Sequence, residues 1–158
     1  MTFRNMLLTG LTVLLCFAVT TPARAQTARP AIQQKFFGKW KLEETLSRIA
    51  HPGEFKAIQW RSYEPDGDRV KVAWGNGEGQ LGTYSAKCDG SLESAASGDI
   101  RCWQAGKNAI DGEQLDSNDS LHRFYRRLLS SDGKTMSIIW FSDAKRRHAL
   151  DRFVFTKN

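Results

Sequence analysis

Phe37-Gly38-Lys39-Trp40-Lys41-Leu42 decides the reading of this chain. A glycine at position 38 lets the backbone bend closely under the end of a barrel. Trp40, on the inward face of the strand that follows, then plugs that end. The stretch reads as the first strand of a small β-barrel.

Downstream, turn signals recur at even intervals. Asp66-Gly67, Asn76-Gly77, Asp89-Gly90, Asp111-Gly112 and Asp132-Gly133 are dipeptides that tolerate positive φ and suit tight hairpins. Between them lie short runs with a period of two. Val70, Val72 and Trp74 alternate with Arg69, Lys71 and Ala73, and Ile58 and Trp60 alternate with Gln59 and Arg61. Near the end, Leu150, Arg152 and Val154 interleave with Asp151, Phe153 and Phe155, so both faces of that strand carry large groups. Strands are expected over 38–46, 56–64, 69–75, 80–88, 98–104, 107–115, 119–129, 134–142 and 147–156, with a short helical lead-in over 31–37. Residues 26–30, 51–53 and 91–98 read as loose. Regular short strands with turn punctuation indicate an all-β antiparallel sandwich or barrel, and no helical period runs long enough for a bundle.

Upstream of this domain stand the three zones of a secretory signal. Arg4 supplies the positive start, Met6 to Val19 is mostly apolar, and Ala23-Arg24-Ala25 offers the small side chains of a cleavage site. Cleavage after Ala25 divides the chain into a signal (1–25), a lead-in (26–35) and a barrel domain (36–158). The apolar run is shorter than the roughly 20 residues that span a bilayer, so no transmembrane span is expected in the mature chain. Leu15, rather than a small residue, precedes Cys16, which argues against lipid attachment there. The expected location is the periplasm or the cell exterior.

The chain carries a formal net charge of +6. The excess is spread along the sequence, apart from Arg123, Arg126, Arg127 and the run Lys145-Arg146-Arg147. A nucleic-acid binder concentrates its basic residues on one face, and export removes the protein from nucleic acid, so that partner is excluded. Two cysteines remain after the signal, Cys88 and Cys102. An even pair in an exported chain reads as a disulfide, and closing a loop of about 15 residues stabilises by roughly 3 kcal/mol.

Phe37-Gly38-Lys39-Trp40 resembles the G-x-W signature that opens the first strand of lipocalins and their calycin relatives. The hairpins Tyr63-Glu64-Pro65-Asp66-Gly67-Asp68 and Ser131-Asp132-Gly133-Lys134 and the aromatic last strand extend that resemblance, to small secreted bacterial lipocalin-like proteins, over nearly all of residues 36–156. It implies an up-and-down barrel of eight to ten strands. It also implies a basic residue of the last strand lying across Trp40; Arg152 is the matching candidate by strand order, and such a contact contributes about 0.5–2 kcal/mol. The middle-loop acidic-Arg signature of the larger lipocalins is not found here.

A barrel of this size either holds one small ligand or fills itself with side chains. Trp60, Trp74, Trp103 and Trp140 fall in expected strands, and Trp60, Trp74 and Trp140 are the candidate cavity-lining residues. Arg123, Tyr125 and Arg127 share one face of a strand because they stand two apart. Facing inward, they would fix a carboxylate or phosphate head group, Arg as a planar donor fork and Tyr as a hydroxyl. Arg123-Phe124-Tyr125 resembles the Arg-x-Tyr pair of fatty-acid-binding relatives, although it stands earlier in the chain than theirs. With the opposite face inward, Phe124 and Leu128 would be core and the arginines solvated. His51, His122 and His148 have no metal-ligand spacing, and no nucleophile elbow, phosphate loop or dinucleotide fingerprint is present. No metal, cofactor or catalytic residue is assigned. The expectation is an exported barrel that binds a small, largely apolar or amphiphilic ligand in its interior. The alternative is a packed module whose outer face or hairpin tips, including Lys145-Arg146-Arg147, contact an envelope partner. An enzyme using Arg123, Tyr125 and an acid is the third reading.

Overall fold

The structure, a computed structural model, describes residues 31–50, 57–96, 98–115 and 122–158. The expected signal 1–25 with its cleavage point, residues 26–30 of the lead-in and the loose stretch 51–53 lie outside the described residues. The described residues form ten strands: β1 (Gly38–Leu42), β2 (Trp60–Asp66), β3 (Arg69–Asn76), β4 (Gly79–Ala86), β5 (Asp89–Ala95), β6 (Gly98–Gly106), β7 (Ala109–Leu115), β8 (His122–Leu129), β9 (Thr135–Phe141) and β10 (Ala149–Lys157). All pair antiparallel in one sheet of order β4-β3-β2-β1-β10-β9-β8-β7-β6-β5. Pairing of β1 with β10 joins the two halves of the meander, and β4 and β5 form the two ends of a nearly closed barrel. Across that remaining seam Arg69 bridges to Glu93 at 3.0 Å, and Glu93 also accepts the Lys87 backbone N–H.

Two departures from the expected strands have local causes. The first strand stops at Leu42 rather than running to residue 46, because Glu44–Leu46 forms a 3₁₀ turn. There the Ser47 hydroxyl takes the place of a ladder partner: it donates to Glu43 O and accepts the Val154 N–H. Residues 91–98, expected to be loose, contain most of β5. Its sequence, Asp-Gly-Ser-Leu-Glu-Ser-Ala, lacks β-branched and aromatic residues. Pairing with β6 and the Cys88–Cys102 disulfide hold it in place.

Register fixes which side chains face inward. Trp40 pairs with Arg61, Tyr63 with Val72, Val72 with Tyr84, Gly112 with Tyr125, and Tyr125 with Trp140. These rows, with Ile100, Ile110, Met136, Ile138, Phe153 and Phe155, fill the core. Trp40 is fully buried, and its indole N–H donates to Phe36 O at 3.1 Å. The 3₁₀ turn Gln34–Phe36 closes this end of the barrel, tied across it by Gln33 N–H to Gln104 and by Lys35 to Asn108. Gly38 takes φ +126°, a region other residues avoid, and a Cβ there would sit 3.0 Å from Lys157.

The cation across Trp40 is not Arg152. Lys157 Nζ lies 5.2 Å from the ring centroid, while Arg152 points outward and bonds the Ser137 hydroxyl. Alternation explains the correction: Phe153, Phe155 and Lys157 occupy the inward row of β10, and Arg152 is on the other one.

Candidate functional site

The chain has three tyrosines, Tyr63, Tyr84 and Tyr125, and all of them gather inside the barrel around one cation. Arg127 is 4% exposed. Its guanidinium stacks 4.3 Å from the Tyr125 ring centroid and 5.3 Å from that of Tyr63, and Nη2 donates to the Tyr84 hydroxyl at 2.6 Å. Burial opposes the charge on Arg127, while Tyr125, Tyr63 and Tyr84 around it raise its pKa above the ordinary arginine value, so it stays a cation. Burial likewise pushes the Tyr125 phenol above its usual range, so it stays neutral. Among the described residues no carboxylate comes within ion-pair distance of Arg127.

The layer extends toward the opposite end of the barrel. Arg61, 7% exposed, lies 5.5 Å over Trp74, and Trp74 packs at 6.1 Å against Tyr84. Trp140 meets Tyr125 edge-on at 5.3 Å. Glycines make room for the rings. A Cβ on Gly112 would lie 2.2 Å from the Tyr125 hydroxyl, and one on Gly82 2.2 Å from the Trp74 ring. Within this layer, among the described residues, Arg61 Nε, Tyr63 Oη, Tyr125 Oη and Arg127 Nε are buried without a hydrogen-bond partner. Buried polar groups are nearly always paired, and leaving one unmade costs about 1–3 kcal/mol. Four in one layer form an acceptor-hungry surface: guanidinium and phenol groups together donate to an oxyanion. Side chains close around it tightly. Between Arg61, Ile58, Ile138, Trp140, Phe153 and Phe155 only narrow voids remain, too slender for a water molecule.

The structure brings Trp74, Trp140, Tyr125 and Arg127 into this interior layer. Arg123 is on the same inward row of β8, opposite Gln114 and half-buried, toward the other end. Trp60 is a correction. It pairs with Lys41 and Gly75 on the outer face and donates from its indole N–H to Asn76 O at 3.0 Å. The inward positions of β2 are Arg61 and Tyr63, and sequence patterning favours the apolar side chain over the arginine for the core. Trp60 instead walls an outer groove of about 900 Å³ over β1 to β4, with Lys41, Lys71, Glu64 and Ala73. Tyr63, Tyr84 and Arg61 were not assigned to the site from sequence. One signal was available: Arg61-Ser62-Tyr63 spaces an arginine and a tyrosine as Tyr125-Arg126-Arg127 does.

On the outside, the tip Lys145-Arg146-Arg147 is less free than a solvated turn. Arg146 folds back over Trp103, 5.2 Å from its centroid, and approaches Asp111 at 3.5 Å, while Arg126 pairs with the same Asp111 at 2.6 and 2.7 Å. Arg147 bridges to Asp143 at 3.7 Å.

No family model matches the sequence, and no curated protein matches it. Among solved structures, the barrel is similar to a single-substitution variant of the fatty acid transporter REP1-NXSQ, with 17% identity, 77% of this chain and 97% of that chain covered, and a TM-score of 0.56. A lipocalin-family protein of Helicobacter pylori is similar at 9% identity over 78% of this chain and 82% of that one, with a TM-score of 0.44. The ten-stranded, nearly closed antiparallel meander is a lipocalin-like barrel fold.

Proposed function

We propose that the protein is an exported binding barrel whose interior takes a small amphiphilic ligand with an acidic head group. The head group sits at Arg127 with Tyr63, Tyr84 and Tyr125; Arg61 supports it, and the apolar body lies against Trp74, Trp140 and Phe153. One observation carries this: among the described residues, a buried arginine has no carboxylate partner and stands in a layer holding four unpartnered buried polar atoms. An oxyanion satisfies both deficits at once. Because the described interior beside Arg61 and Trp140 is closely filled, ligand entry there displaces aromatic side chains, so binding perturbs tryptophan emission. The intrachain disulfide fits an oxidising compartment outside the cytoplasm. A fatty acid transporter has a similar fold, which makes fatty carboxylates the first compounds to try.

The test is displacement of an environment-sensitive apolar dye by a fatty carboxylate and by the alcohol of equal chain length, read also as quenching of tryptophan emission. A preference of about tenfold or more for the carboxylate is expected, since a charge-assisted hydrogen bond contributes about 1.5–3 kcal/mol. Arg127→Gln removes that preference. Equal displacement by acid and alcohol, or none by either, rejects the reading.

The packed interaction module has one observation in its favour. The described interior beside Arg61 and Trp140 leaves no room for a water, whereas the outer face of β1 to β4 carries the 900 Å³ groove. No dye binding, together with capture of one envelope protein that is lost on Trp60→Ala, would favour it.

A further inference from the structure

Beyond β1 the chain runs back along β10 and sets Arg48 directly opposite Arg152, with hydrogen bonds in both directions between their backbones at 2.8 Å. Like charges facing one another across a ladder are destabilising. Neither arginine has a carboxylate partner among the described residues: Arg152 bonds only the Ser137 hydroxyl, at 3.1 and 3.4 Å, and both side chains are exposed. Beside this pair stand two of the large apolar side chains most exposed in the structure, Leu46 at 61% and Leu150 at 41%. Leu46 ends the 3₁₀ turn that precedes Arg48. Leu150 is at the register shift where β10 bulges. The adjoining loop adds Lys145 and Arg147, both exposed; Arg147 is partly balanced by Asp143, and Glu44 is the acid nearest Leu46 in sequence.

Two guanidiniums without a carboxylate partner among the described residues, each near an exposed leucine in the chain, match a surface that offers phosphate oxygens beside hydrocarbon. We propose that this patch, Leu46, Arg48, Leu150 and Arg152, docks the barrel on an anionic lipid surface. The arginines take lipid phosphates as planar donor forks, and the leucines enter the head-group boundary. This reading is independent of whether the interior holds a ligand. Docked this way, the barrel presents to the membrane the end at which the 3₁₀-turn segment, the loop 142–148 and the β3–β4 hairpin lie, opposite the Trp40 plug.

Co-sedimentation of the exported, full mature chain with phosphatidylcholine vesicles, with and without phosphatidylglycerol, tests it. Binding to the anionic vesicles alone is expected, weakening as salt rises. Arg48→Gln with Arg152→Gln should weaken it by about tenfold or more, each basic residue near such a surface contributing about fivefold. Leu46→Ser with Leu150→Ser keeps the charge and should lower binding severalfold as well. Inorganic phosphate at constant ionic strength should not compete, which separates a lipid surface from a free-phosphate site. All four side chains are exposed, so neither variant should unfold at a lower denaturant midpoint than the wild type, and the arginine variant, freed of the facing like charges, should unfold at the same or a higher one. Equal binding to both vesicle types, no binding to either, competition by phosphate, or unchanged binding by the Arg48/Arg152 variant overturns the proposal.

Discussion

Arg127 on β8 donates to the Tyr84 hydroxyl on β4 at 2.6 Å, joining across the barrel two strands that are far apart in sheet order. Because β4 is a terminal strand of the sheet, the bond helps hold the seam shut from inside. It also satisfies only part of a buried cation. Removing the acceptor and removing the cation therefore have opposite consequences. Tyr84→Phe strands the guanidinium and should destabilise by about 1–3 kcal/mol. Arg127→Met removes a desolvated charge that has no carboxylate partner among the described residues, and should be neutral or stabilising by about 1–3 kcal/mol, while abolishing selection of acidic ligands. Denaturant unfolding of the two variants checks the pair. A large loss of stability in Arg127→Met would mean that the cation is a structural element rather than part of a binding site.

The tyrosines give a pH signature. Burial raises the Tyr125 phenol above its ordinary value. An acid with a raised folded pKa contributes its stability in full below the unfolded value, near pH 10, and loses it above, because the unfolded chain releases a proton that the folded chain keeps. Stability should therefore fall above about pH 10, and Tyr125→Phe should remove a slope of up to about 1.4 kcal/mol per pH unit. The difference between the two denaturant-midpoint curves isolates this group from the lysines. A spectrophotometric phenolate titration reports on the same layer, since the chain has no tyrosine outside it. A wild-type curve parallel to that of Tyr125→Phe would contradict burial of the phenol.

The barrel was legible because its signals are local. Gly38 with Trp40, the Asp-Gly and Asn-Gly turns and the alternation of Val70, Val72 and Trp74 each express a backbone rule over a few residues. Tyr125 and Arg127 were also within reach, since their spacing alone puts them on one face. What escaped required register. Arg61 faces inward and Trp60 outward, the reverse of a hydrophobicity ranking, and a shift of one residue exchanges every side chain between faces. Arg152 and Lys157 exchanged roles for the same reason, as strand order does not say which row of β10 meets Trp40. Tyr63 and Tyr84 joined the site through partners far away in sequence, which no window along the chain contains.

Close approach at Gly112 yields a third prediction. An added Cβ would meet the Tyr125 hydroxyl at 2.2 Å and the Arg101 carbonyl oxygen at 2.7 Å. The carbonyl belongs to the ladder and has little freedom to yield. Gly112→Ala should destabilise by about 1–3 kcal/mol, and by moving the Tyr125 ring it should also weaken acid binding. Gly133 serves as the control for substitution itself, because nothing lies within 4 Å of its added Cβ, although its φ of +70° leaves some strain. A smaller loss at Gly112 than at Gly133 would refute the close packing of Tyr125.

On the outer face, Asp111 is 4% exposed and takes Arg126 at 2.6 and 2.7 Å and Arg146 at 3.5 Å. Arg146 adopts φ +54° to reach it, so the shape of the loop 142–148 depends on that carboxylate. Asp111→Asn should cost about 2 kcal/mol, less than a fully buried pair because Arg126 is partly solvated. The sharper readout is trypsin. With the clamp gone, cleavage after Lys145, Arg146 or Arg147 should accelerate several-fold under native conditions, and unchanged cleavage would show that Asp111 does not hold the loop.

The last prediction concerns β5, the strand that composition disfavours most. Asp89–Ala95 has one terminal edge of the sheet to itself and pairs on one side only, with β6. Its other ties include the Glu93 bridge to Arg69, the Lys87 N–H bond to Glu93, the Ser94–Asp99 hydrogen bond and the disulfide from Cys88 to Cys102. Residues with so little β preference gain little from the ladder, so the covalent tie carries a disproportionate share of their order. Replacing both cysteines with serine should lower global stability by roughly 3 kcal/mol, with amide exchange in β5 and at Lys87 rising well before that in β1, β9 and β10. Because β5 flanks the seam opposite Tyr84, the same variant should admit apolar dye faster than the disulfide-bonded protein. Uniform exchange across all strands would instead mean that the disulfide stabilises the barrel only by restricting the unfolded chain.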